Sequence, residues 1–222
     1  KISVLNESVH AADDEEMIYS QGIASIVDKG YEKPPPIEGP ENNENLDVYD
    51  DVWCYDMYDR CGLHYGPSLR GVRKIRSGPE TMTAGLSLPD VISETLEDYI
   101  LHPALIDAAL QSLIGLRPGS RYGELLLPVA IDEVVILEKC SKVMQVRACY
   151  TEGYPSNRKI EKYDLELCDS KEIVSTVLKG VLFKQVDQGG VKESPDVTVI
   201  KPMFFQPRLK KEAAGKNGET FD

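Results

Sequence analysis

Asp107 and Gln111 stand four residues apart in the apolar run Pro103-Ala104-Leu105-Ile106-Asp107-Ala108-Ala109-Leu110-Gln111. On a helix that spacing puts both side chains on one face. A carboxyl among Ile, Ala and Leu is costly unless it is paired or used. Burial raises its pKa, which suits a general acid near neutrality. The opposite reading is a helix-start carboxylate favoured by the macrodipole, which lowers the pKa. The residues alone leave both open.

Other chemistry-bearing residues are few. The histidines are His10, His64 and His102. His102 precedes Pro103, where it could cap a helix or bond a neighbouring strand. His64 and Tyr65 fall in the turn cluster Gly62-Leu63-His64-Tyr65-Gly66-Pro67, so one of them lines a cleft or the turn is simply packed. Gly66-Pro67-Ser68-Leu69-Arg70 fails the last position of a Gly-x-Ser-x-Gly nucleophile elbow, and no glycine-rich phosphate loop occurs. Common hydrolase and nucleotide-binding readings are thereby excluded. Cys54, Cys61 and His64 could be metal ligands, but their spacing lacks the paired Cys-x-x-Cys of a zinc site. Reduced, mostly buried thiols are the expectation for the five cysteines, and no metal is expected.

The elements that must position these residues read as follows. Residues 103–116 form the clearest helix, with Pro103 in its first turn and an apolar stripe of Ile106, Ala109, Leu110, Leu113 and Ile114. Before it, 46–60 reads as a short helix, and 69–77 and 80–88 as two strands joined at Ser77-Gly78-Pro79. After it, strands are expected at 125–138, 142–151, 160–168 and 172–185. Residues 1–28 carry strand-like runs at 2–5 and 17–27 around the acidic cluster Asp13-Asp14-Glu15-Glu16. Residues 29–45, with Pro34-Pro35-Pro36, read as a linker. Residues 188–222 read as an extended connector, within which 198–205 are apolar enough to dock. Several antiparallel strands around one apolar helix make an α+β, hotdog-like arrangement.

The 222 residues are 41% hydrophobic, enough for a real core. The net charge of −12 argues against a protein that grips nucleic acid through Lys and Arg. Nearly all of the acidic excess lies in residues 1–60. No apolar stretch approaches a membrane span and no signal peptide is evident. A start at Lys1 inside a strand-like segment suggests an excised piece of a longer polypeptide. A cytoplasmic setting is expected.

Three motifs in order carry a resemblance. Leu101-His102-Pro103-Ala104-Leu105-Ile106-Asp107-Ala108-Ala109-Leu110-Gln111 resembles the second-lobe helix of the dehydratase domains of modular polyketide synthases. Gly62 to Pro67 resembles their tyrosine-glycine-proline turn, and Leu127-Pro128-Val129 their leucine-proline strand. The likeness covers about residues 46–186. Residues 1–28, with Ser20-Gln21-Gly22, resemble the closing strands of a first lobe, and 187–222 the linker that follows such a domain.

The resemblance implies a double hotdog whose second lobe is residues 46–187. It implies removal of water from a β-hydroxyacyl thioester to give an α,β-enoyl thioester. The substrate would ride on the phosphopantetheine of an acyl carrier protein, with no cofactor bound by the domain itself. A first-lobe histidine would take the α-proton, and Asp107 would protonate the leaving hydroxyl. Gln111 would hold Asp107. Tyr65, Gly66, Pro67, His102 and Pro128 would border the substrate. Arg70, Arg73, Lys74 and Arg76 would guide an acidic carrier protein, or would simply be the solvent side of a strand.

One departure matters as much. The family's first lobe carries His, three residues, Gly, four residues, Pro, and no histidine here begins that pattern. The chain thus holds the acid half of a site without the base half. It would be a fragment of a larger synthase, a lobe paired with a separately encoded one, or a non-catalytic scaffold lobe. A hotdog homodimer acting on thioesters is a further alternative.

Overall fold

A computed structural model of the chain describes residues 2–5, 18–22, 35–40, 46–117, 125–153, 159–186 and 206–209. The chain divides into two units, Lys1–Pro34 with Lys192–Asp222, and Pro35–Val191. In the first, β1 (Ile2–Leu5) pairs antiparallel with β2 (Ile18–Gly22). The acidic cluster between them, and 23–27 of the expected second run, lie outside the described residues. In the stretch expected as a trailing connector, Gln206–Leu209 form a strand against the other side of β1. The proposed docking stretch 198–205 also lies outside the described residues.

The second unit is built from β3 (Asp47–Asp50), α1 (Asp51–Arg60), β4 (Val72–Ser77), β5 (Thr81–Ser87), α2 (Pro103–Ser112), β6 (Leu125–Ala130), β7 (Glu133–Ile136), β8 (Val143–Tyr150), β9 (Ile160–Cys168) and β10 (Val174–Val186). Its eight strands form one antiparallel sheet in the order β3-β4-β5-β8-β9-β10, with β6 and β7 both on the far side of the long β10. The Gln206–Leu209 strand is β11. Alternation explains the inner face: Met82, Ala84 and Leu86 of β5 and Met144, Val146 and Ala148 of β8 are buried, and their neighbours are less so. The sheet packs on α2, whose Ala104, Leu105, Ala108 and Ala109 are buried. This is the α+β hotdog arrangement the sequence suggested.

Close approach of helix and sheet requires glycine. A Cβ on Gly71, just before β4, would fall 2.8 Å from the Ala108 Cβ on α2. Gly71→Ala is therefore expected to push α2 off the sheet at the residue next to Asp107. Overpacking of this kind costs about 1–3 kcal/mol. Urea unfolding checks it, and an unchanged midpoint would refute the close-packing argument. Gly180 is required for another reason: it has φ +62° at a bulge of β10, and its N–H donates to Asp164 Oδ1 at 2.7 Å.

The structure corrects several element boundaries. The helix expected over 46–60 begins only at Asp51, and residues 47–50 are strand β3. Asp50 sets the change, because its carboxylate accepts the Trp53 N–H at 2.8 Å and caps α1. The strand expected from 69 starts at Val72, since Pro67–Leu69 form a 3-10 turn. The strand expected over 125–138 breaks at Ile131-Asp132 into β6 and β7. The helix expected over 103–116 is α-helical to Ser112 and finishes as a 3-10 turn over Leu113–Leu116. A 3-10 segment at Asp90–Asp98 was not foreseen.

Candidate functional site

The ends of four elements meet at α2. His102 fixes where the helix begins: its Nδ1 accepts the Ala104 N–H at 3.1 Å. The other ring nitrogen, Nε2, therefore carries the proton and donates to Thr95 Oγ1 at 2.9 Å, while that hydroxyl donates onward to the Ile92 carbonyl. Burial pushes the His102 pKa down, which keeps the ring neutral. Both ring nitrogens are engaged, Nδ1 in the cap and Nε2 with Thr95. The structure places His102 at the helix start as its cap, one of the two roles its position before Pro103 offered.

With the helix register set, Asp107 and Gln111 fall on one side of α2, as their spacing requires. Gln111 Nε2 donates to Asp107 Oδ2 at 2.7 Å and to the Leu69 carbonyl at 3.0 Å. The Gly66-Pro67 turn delivers that carbonyl, since Pro67–Leu69 is its 3-10 segment. Gln111 Oε1 accepts from Tyr55 Oη at 3.0 Å, and Tyr58 Oη donates to the Gln111 carbonyl at 2.8 Å. Gln111 is buried and its amide is fully paired. Asp107 is half-buried. Burial pushes its carboxyl pKa up, and the hydrogen bond from Gln111 opposes this without reversing it. The net direction is upward, as the reading of a desolvated carboxyl requires.

Tyr65 stands beside this pair. Its ring meets Tyr58 edge-on at 5.1 Å and Tyr55 at 6.1 Å. Tyr58 and Tyr65 both lie within electrostatic reach of Asp107, and burial pushes both phenols up, so both stay neutral. The structure thus brings Tyr65, the Gly66-Pro67 turn, Asp107 and Gln111 together. Pro128 lies apart on β6, exposed and opposite Phe183 of β10.

The basic run divides. Arg70 is engaged locally, with Nε donating to the Tyr65 carbonyl at 2.9 Å and the guanidinium over the Tyr55 ring at 5.1 Å. It braces the turn while its side chain stays partly exposed. Arg73, Lys74 and Arg76 are exposed on β4. Cys54 and Cys61 are buried thiols, whereas His64 is exposed and bonds Asp59 at 2.9 Å. Among the described residues, no cluster of three or more His, Cys, Asp or Glu is placed to hold a metal. No described helix is long and apolar enough to cross a membrane.

Tyr55 and Tyr58 were absent from the sequence-derived site. Their only signal is a pair of tyrosines three apart on a short helix ahead of the Tyr65 turn, a spacing that equally suits core packing.

Fold and site together define a hotdog lobe whose central helix bears a half-buried carboxyl held by Gln111. The family described as polyketide synthase dehydratase N-terminal domain matches residues 33–193. Polyketide synthase PksL of Bacillus subtilis (strain 168) is 32% identical over 212 residues, which are 91% of this chain and 5% of that protein. PksN of the same organism is 32% identical over 184 residues, 83% of this chain and 3% of that protein. A trans-AT synthase dehydratase domain from Brevibacillus brevis superposes with a TM-score of 0.60 at 31% identity, over 64% of this chain and 49% of that one. The CurK dehydratase of the curacin synthase, described as an inactive aspartate-to-asparagine variant, superposes with a TM-score of 0.56 at 25% identity, over 63% of this chain and 49% of that one. A histidine-to-phenylalanine variant of the same dehydratase is also described as inactive. The chain belongs to the polyketide synthase dehydratase family. It spans a small fraction of the curated synthases it matches and about half the length of the solved dehydratase domains.

Proposed function

We propose that this chain supplies the acid half of a dehydratase site, as the second hotdog lobe of a double-hotdog domain within a larger synthase. The observation that carries the reading is Asp107: half-buried, its pKa raised, and one oxygen held by Gln111. The substrate is a β-hydroxyacyl chain on the phosphopantetheine of an acyl carrier protein. A histidine contributed by the first lobe removes the α-proton. Electrons shift to form the α,β double bond, and the β-hydroxyl leaves as water after taking the proton from Asp107. Hydroxide is a poor leaving group, so an acid within hydrogen-bond reach of it supplies most of what this half contributes. The inactive Asp and His variants of the CurK dehydratase support a requirement for two such groups in a relative. The absence of His-x-x-x-Gly-x-x-x-x-Pro from this sequence supports a base supplied from outside it. Arg73, Lys74 and Arg76 are the candidate guides for an acidic carrier, and the cytoplasm is the setting we assign.

The test offers a carrier-bound β-hydroxyacyl thioester to the intact synthase and, separately, to this chain alone. The intact protein is expected to give an enoyl product lighter by one water. The isolated chain is expected to give none. Dehydration by the isolated chain would overturn the half-site reading.

A further inference from the structure

We infer that Tyr55, on α1, is a positioning residue that fixes the orientation of the Gln111 amide and thereby which oxygen of Asp107 carries its proton. The inference rests on Asp107 being the acid of the reaction proposed above.

The chain of hydrogen bonds has an enforced direction. It starts at the backbone N–H of Val72, which can only donate, and which points at Tyr55 Oη at 3.0 Å. With that lone pair occupied, the Tyr55 hydroxyl spends its proton on Gln111 at 3.0 Å. The Gln111 atom facing Tyr55 must therefore be the carbonyl oxygen. Its amide nitrogen then faces the other way, where both neighbours, Leu69 O and Asp107 Oδ2, are acceptors. Every link in the series Val72, Tyr55, Gln111, Asp107 agrees in polarity, and reversing any one would set two donors or two acceptors face to face. Tyr55 and Gln111 are both buried, so water does not compete for these groups.

The consequence reaches the proton of Asp107. Oδ2 is an acceptor from Gln111, so a protonated Asp107 carries its hydrogen on Oδ1. A Gln111 amide turned over would instead present its carbonyl oxygen to the carboxyl and draw the proton into an internal bond. Tyr55 opposes that from 56 residues away in sequence, together with the Leu69 carbonyl on the far side of the amide. Arg70 steadies the Tyr55 ring from outside. The titratable groups facing Asp107 are Tyr58 from α1 and Tyr65 from the turn.

Tyr55→Phe in the intact synthase removes the hydroxyl and keeps the ring. Without it the Gln111 carbonyl oxygen is left buried and unpaired and the amide is held only from the Leu69 side, so its N–H bond to Asp107 weakens and the carboxyl pKa rises further. The alkaline limb of the kcat profile is expected to move up by about half to one pH unit, while the plateau falls about tenfold. Tyr150→Phe, which loses a hydroxyl bond to the Leu116 carbonyl elsewhere in the fold, serves as the packing control and should leave the limb in place. Replacing Tyr55 with a ring-fluorinated tyrosine makes its hydroxyl a stronger donor at nearly the same size. It polarises the Gln111 amide and should move the limb down. This isosteric variant decides the matter if Tyr55→Phe fails to fold. Opposite shifts from the two variants support the inference. An unmoved limb in the fluorinated protein, or in folded Tyr55→Phe, overturns it. Asp107→Asn measured alongside separates the two layers: if that variant keeps its activity, the acid assignment itself fails.

Discussion

Asp107→Asn in the intact synthase is expected to stop dehydration, with loss of about 10²–10⁴-fold in rate and accumulation of the β-hydroxyacyl thioester on the carrier. The substitution keeps the shape and leaves an oxygen for Gln111 Nε2, which now bonds Asp107 Oδ2 at 2.7 Å. What it removes is the transferable proton. Mass spectrometry of the carrier-bound chain reads the outcome directly, and a rate within tenfold of the natural protein would sink the assignment. The pH dependence follows from the same group. Burial raises the Asp107 pKa, so the protonated, competent form persists to higher pH than for an exposed aspartate, and activity falls as pH rises through that raised value. Stability carries the same sign. A carboxyl with a folded-state pKa above its unfolded value contributes its full share below the unfolded value and loses it as pH rises through the folded one. Asp107→Asn is therefore expected to be inactive yet no less stable at neutral pH, which thermal unfolding of the same preparation measures.

Arg117→Ala is expected to produce the largest loss of stability. Arg117 Nε reaches both carboxylate oxygens of Glu161, at 3.1 and 2.9 Å, and Tyr163 Oη donates to the same carboxylate. Glu161 is only 4% exposed and lies among Leu110, Ile114, Leu126 and Phe183, which line an adjoining cavity. Removing the arginine leaves that carboxylate buried with a single neutral donor. Breaking a buried pair in this way costs about 3–5 kcal/mol. That is a large share of the about 5–15 kcal/mol that a domain has in total. Arg117→Met with Glu161→Leu should recover much of the loss, because the desolvation cost of both charges disappears with them. Denaturant unfolding of the single and double variants decides it. A single-variant loss under about 1 kcal/mol would show that the pair is effectively solvated.

Much of the frame was legible from periodicity. The alternation of Met82, Ala84 and Leu86 announced β5, and Pro103 with the following stripe announced α2, because burial on one face imposes those periods. Local competition was harder to read. Residues 47–50 pair with β4 although their sequence runs smoothly into α1, and only the Asp50 cap marks the change. The Asp90–Asp98 stretch does carry a helical period, with Val91, Ile92 and Leu96 toward one side, so its helical turns were legible although not foreseen. His102 stood out as a histidine beside a proline. Its partner Thr95 lies in a separate 3-10 segment that ends before α2 begins, so no single repeat joins the two.

The sequence by itself determined the family, the hotdog frame and the pairing of Asp107 with Gln111, since a four-residue spacing on a helix leaves those two side chains little choice. It could not determine the state of the carboxyl. A position early in a helix lowers an aspartate pKa, an apolar surrounding raises it, and both descriptions fit the same residues. Only the tertiary structure decided between them. It brings Tyr58 and Tyr65 within electrostatic reach of Asp107 and buries the carboxyl enough that desolvation exceeds what the Gln111 hydrogen bond returns. The contacts that hold its partner Gln111 span more than forty residues of chain, from Leu69 to Gln111 and from Tyr55 to Gln111. They become neighbours only once α1 and the Pro67–Leu69 turn have packed against α2.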